Sequence, residues 1–180
     1  YTLAVARFYN TDDARALALL RRYTELQPRD ARGHYVAGVM LHLMMRGEEA
    51  RAALARSFEL SATADAAYFL GLIAYNSDAT AEAEAWLKRA VALDPRHAPA
   101  RTSLGMTYAK RKDFAAARAE LERAVELDPQ DLTAAYQLGM VYTRTGDSAR
   151  ARAMMETADR LRAEQRHRPR EGLRLAEPPR

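Results

Sequence analysis

Catalysis needs nucleophiles, bases or metal ligands that can converge, and this 180-residue sequence offers few. It contains no cysteine, which excludes disulfides, thiolate metal sites, cysteine nucleophiles and c-type haem attachment. Its four histidines are His34, His42, His97 and His167. His34 and His42 stand roughly two helical turns apart, a poor spacing for metal when no carboxylates accompany it. Acidic residues such as Glu122 and Glu126, set around Arg123, read as solvated helix faces. No Gly-rich phosphate loop and no Gly-x-Ser-x-Gly elbow occurs. The expectation is therefore no catalytic residue, no cofactor, no metal and no enzyme activity.

The elements that must position whatever site exists are those of a folded chain, since 48% of residues are hydrophobic and 29% charged. Only 8 Gly and 7 Pro leave little material for loop-rich β architectures. The formal charge of +4 suggests nucleic acid until it is located. Residues 1–159 carry 21 basic and 21 acidic side chains, so the whole excess belongs to residues 160–180. Nucleic acid is thus not the expected partner. The longest apolar run, Tyr35 to Met45, is about half the roughly 20 residues a membrane helix needs, and localisation is unreadable.

Self-similarity at a lag of 34 residues organises the chain. Leu70-Gly71 recurs as Leu104-Gly105 and Leu138-Gly139, followed in register by Ala83, Ala117 and Ala151, by Ala90, Ala124 and Ala158, and by Leu93, Leu127 and Leu161. Gly38, Ala50, Leu54 and Leu60 continue the pattern upstream with one residue missing, and Ala16, Leu20 and Leu26 extend it again. Apolar residues return every three or four positions on both sides of a polar break such as Lys112-Asp113, which predicts two antiparallel helices per unit. Pro28, Pro95 and Pro129 mark where one pair ends and the next begins. The recurring Gly and Ala positions suit close helix crossings.

Leu104, Gly105, Tyr108, Ala117, Leu121, Ala124 and Pro129 together resemble the tetratricopeptide repeat family. The resemblance covers residues 1–165 and implies an all-α, right-handed α-solenoid of about five antiparallel helix pairs. The predicted units are 1–30 (incomplete), 31–63, 64–97, 98–131 and 132–165, followed by a basic Pro/Arg-containing tail over 166–180. Phe58, Val91 and Val125 face the next unit, whereas Asp159 stands at that place in the last, so the stack is expected to stop there. At the other end Leu3, Val5, Phe8 and Tyr9 predict a missing upstream segment or a covering partner.

In that family the first helix of each pair lines the concave surface that holds peptides. Projecting the helical period directs Tyr1, Val5, Phe8 and Tyr9 inward, then Tyr35, Val39 and His42, then Tyr68, Leu72 and Tyr75. Thr102, Met106 and Lys110 follow, and finally Tyr136, Met140 and Arg144. Six of the nine tyrosines are thereby expected in the groove, where a stiff ring with a polar tip suits recognition. The Lys, Asn and Arg set of the family's carboxylate clamp is replaced here by Tyr68, Leu72, Thr102 and Met106. The expected function is a non-enzymatic scaffold or adaptor that grips a partner peptide or helix in a Tyr- and Met-lined groove. The alternatives are an assembly unit docking through its N-terminal end onto another subunit or copy, and a regulatory array of a larger enzyme or secretion complex.

Overall fold

A computed structural model describes residues 13–167, and every regular element among them is an α-helix. These are α1 (Asp13–Leu26), α2 (Ala31–Leu43), α3 (Gly47–Leu60), α4 (Ala64–Asn76), α5 (Thr80–Leu93), α6 (Ala98–Lys110), α7 (Phe114–Leu127), α8 (Leu132–Thr145) and α9 (Ser148–His167). Helices α2–α3, α4–α5, α6–α7 and α8–α9 form antiparallel pairs, and α1 packs on α2 as each later second helix packs on the first helix after it.

Local sequence explains where each first helix starts. The residue before every first helix turns its side chain onto the unsatisfied backbone N–H groups of the opening turn. Asp30 accepts from Arg32 N at 3.0 Å, Thr63 from Ala66 N at 3.3 Å, and Asp131 from Thr133 N at 2.8 Å. At His97 the acceptor is imidazole Nδ1, 3.0 Å from Ala100 N. Each first helix ends with a left-handed residue and a backbone bond that folds the chain back, as from Arg46 N to Leu41 O at 2.8 Å and Asp147 N to Tyr142 O at 2.9 Å. Met45, Asp78 and Lys112 occupy that left-handed place with φ of 60, 66 and 63°, and only the fourth turn uses a glycine, Gly146.

The core is one motif repeated. Gly38, Gly71 and Gly105 let the second helix approach so closely that a Cβ built on them would lie 2.5, 2.7 and 2.5 Å from Cγ of Leu54, Leu87 and Leu121. Those leucines are fully buried, as is Leu20 of α1 at the same register, and each such side chain contributes roughly 1.5–3 kcal/mol of hydrophobic stabilisation. In the last pair the partner of Gly139 is Met155, whose Cε would lie 3.1 Å from the added atom.

Each second helix also packs on the first helix of the next pair. Successive first helices touch one another (α2 with α4, α4 with α6, α6 with α8), but successive second helices make no comparable contact among the described residues. Helices that converge along one side and diverge along the other force the stack to curve, so α2, α4, α6 and α8 form its inner surface.

Candidate groove

The inner surface is assembled from side chains one or two turns apart on α2, α4, α6 and α8. At its N-terminal end an aromatic cluster centres on Phe69. Tyr35, His42 and Tyr68 stand around that ring at centroid distances of 6.0, 5.8 and 5.1 Å. The first two contacts are edge-to-face, the arrangement that ring quadrupoles favour. Tyr68 also meets the His97 ring at 5.2 Å. Burial pushes its phenol above the ordinary tyrosine range, and desolvation lowers His42 below the ordinary histidine value. Val39, Leu72 and Tyr75 are half-buried beside this cluster.

Between α6 and α8 runs a furrow with two depressions. The one at the N-terminal ends of these helices measures about 520 Å³ and is lined by Tyr68, Leu72, Met106 and Leu132, with the carboxylates of Asp128 and Asp131 and no cationic side chain. The one at their C-terminal ends measures about 510 Å³ and is lined by Tyr136, Met140, Phe114 and Val141, with Lys110, Lys112 and Arg144 and no carboxylate. Tyr136 is 40% exposed there, unusually open for so large an apolar ring.

Placement of the sequence-derived residues therefore differs one by one. Tyr35, Val39, His42, Tyr68, Leu72, Tyr75, Met106 and Met140 are half-buried, and Lys110, Tyr136 and Arg144 are exposed. Thr102 is only 4% exposed, and its hydroxyl donates to Asp131 Oδ2 at 2.8 Å, so it braces α6 against the cap of α8 instead of offering a free group. Lys110 is ion-paired with Asp78 and lies 4.9 Å from the Tyr75 ring centroid. Tyr1, Val5, Phe8 and Tyr9 fall outside the described residues, as does the tail from 168 onward. Phe69, Lys112, Phe114 and Gln137 were missed. Phe69 and Gln137 share a register one residue before Leu-Gly, whereas Lys112 belongs to a turn that helical periodicity does not reach.

Among the described residues no three His, Asp or Glu side chains converge to hold a metal, and no helix is long and apolar enough to cross a membrane. Family models described as tetratricopeptide repeat match residues 74–131, 108–168 and 46–98. A search among curated proteins finds no sequence match. The structure of MamA residues 41–end from Desulfovibrio magneticus is similar, with 21% identity, TM-score 0.79, and coverage of 91% of this chain and 93% of that one. YrrB, described as a TPR protein with an unusual peptide-binding site, is 23% identical at TM-score 0.73, covering 92% of this chain and 86% of that one. PilW, a type IV pilus biogenesis factor, is 19% identical at TM-score 0.79, covering 90% and 76%. At these identities the likeness is one of fold.

Proposed function

The chain belongs to the tetratricopeptide repeat family, and from that premise we propose that it is a non-enzymatic scaffold holding a partner segment along the inner surface formed by α2, α4, α6 and α8. Members of this family are protein-binding scaffolds, and protein binding is this chain's general role. The observation that carries the finer reading is the open, apolar character of the α6–α8 furrow. A 40% exposed Tyr136 stands beside half-buried Met140, in an array whose equivalent outer-helix leucines are fully buried. A stiff aromatic loses little entropy when a ligand covers it, and flexible thioethers adapt their shape to the ligand.

A Leu72→Ser, Tyr136→Ala, Met140→Ser variant removes apolar groove surface without touching the Gly–Leu crossings. Its helicity by circular dichroism should equal that of the parent. In pull-downs from lysate of the source cell, a partner retained by the parent and lost by the variant is the expected outcome. Equal capture by both would place binding on another surface and defeat the reading.

A further inference from the structure

The two depressions of the α6–α8 furrow have opposite charge, although the chain's body is balanced. Lys110, Lys112 and Arg144 converge on the C-terminal depression without a carboxylate among its lining residues, while Asp128 and Asp131 line the other without a cation. Lys110 is already matched by Asp78. Lys112 and Arg144 have no ion-pair partner among the described residues. The concentration of charge is local. Two of the chain's three lysines are here, and the equivalent rim positions in earlier repeats are Leu43 and Met45, then Asn76 and Asp78. The cations flank an apolar floor of Phe114, Met140 and Val141 under Tyr136.

We infer that this depression receives an acidic side chain, internal to a partner segment whose neighbouring apolar residue covers Tyr136 and Met140, with the segment's acidic end over Lys112 and Arg144 and pointing away from Asp128 and Asp131. The inference rests on the groove reading and adds the chemistry and direction of the ligand. Lys112 and Arg144, two unmatched cations drawn together on an apolar surface, repel one another, and a carboxylate lowers that repulsion while the floor limits competing hydration. Arg144 offers a planar fork matched to a carboxylate, and Lys112 a mobile point charge. Helix α8 spans roughly 20 Å, the length of about six extended residues, so one short segment reaches both depressions.

The test is selection of a random peptide library displayed through fused C-termini, which offers no free terminal carboxylate. The best binder is then synthesised with an amidated end. Selected sequences should be enriched in Asp and Glu, and Lys112→Glu with Arg144→Glu should weaken the binder about tenfold or more, the loss of one charge-assisted hydrogen bond. Changing the peptide's acid to Lys should restore binding to that variant. Peptides that need Leu72, Tyr136 and Met140 but show no acidic enrichment and ignore the charge reversal would overturn the inference and leave the groove reading standing. Selection of no peptide that depends on any of these side chains would overturn both.

Discussion

His42 is the groove residue whose charge is easiest to follow. It lies edge-on to Phe69 at 5.8 Å, and desolvation alone lowers its pKa from 6.5. A histidine whose folded value is depressed favours the fold fully above pH 6.5, where both states are neutral, and loses that contribution as pH falls and the unfolded chain takes up the proton first. Nuclear magnetic resonance titration of the ring should give a midpoint below 6.5, and a Phe69→Ala change, which readmits water, should move it back upward. A midpoint above 6.5 would show that an unseen carboxylate outweighs burial. Asp30 behaves in the same sense lower on the scale, with Arg32 and the Tyr23 hydroxyl holding its carboxyl below the usual range, so its cap weakens only in strong acid. At this scale helical spacing puts Thr102 and Tyr136 in the same register, but it does not foresee that Asp131, the residue that caps α8, accepts the Thr102 hydroxyl.

At the scale of the element, the crossing of each pair depends on what faces its glycine. An alanine at Gly105 would meet Leu121 Cγ at 2.5 Å and the Ala117 carbonyl oxygen at 3.2 Å, and backbone cannot yield as a side-chain tip does. At Gly139 the nearest atom is the Cε of Met155, at 3.1 Å, on a side chain with three rotatable bonds. Gly105→Ala should therefore cost about 1–3 kcal/mol through overpacking. Gly139→Ala should cost clearly less, because the Met155 tip can move away, Met154 Cβ stands at a looser 3.3 Å, and the roughly 1 kcal/mol gain in helix propensity offsets part of the crowding. Urea unfolding of both variants measures the difference, and equal losses would refute the assignment of the strain to backbone and branched leucine. The 34-residue lag made these Gly positions legible as close crossings. The substitution of Met155 for the usual leucine shows in the sequence too, but its consequence depends on the distance between helices.

At the scale of the whole molecule, each helix among the described residues packs mainly on its neighbours and, on the inner side, on the first helix of the next pair. Stability in such an array is a sum of local terms, so damage should stay local. Leu121→Ala, at a fully buried crossing, should cost about 2–5 kcal/mol, and amide exchange should accelerate in α6–α8 while α1–α3 keep their protection. Uniform acceleration would mean that the stack opens as one cooperative unit. Exposed inter-repeat ion pairs such as Arg51–Glu82 at 2.7 Å, half in solvent, add little to this balance.

The fold class was legible because a solenoid writes its architecture locally. Apolar spacing, prolines at the unit boundaries, and the Gly and Ala positions of close crossings all recur at one unit's length, and each acts on residues nearby in sequence. The candidate groove residues were read in the same local way, from a helical projection within each unit. What the tertiary structure alone decided lies between repeats. Stacking left Tyr136 open, braced Thr102 against Asp131, set Phe69 among three rings, matched Lys110 to Asp78, and drew Lys112 from a turn to the rim beside Arg144. Those relations join residues about thirty positions apart, and they depend on the rotation from one helix pair to the next, a quantity that no single repeat encodes.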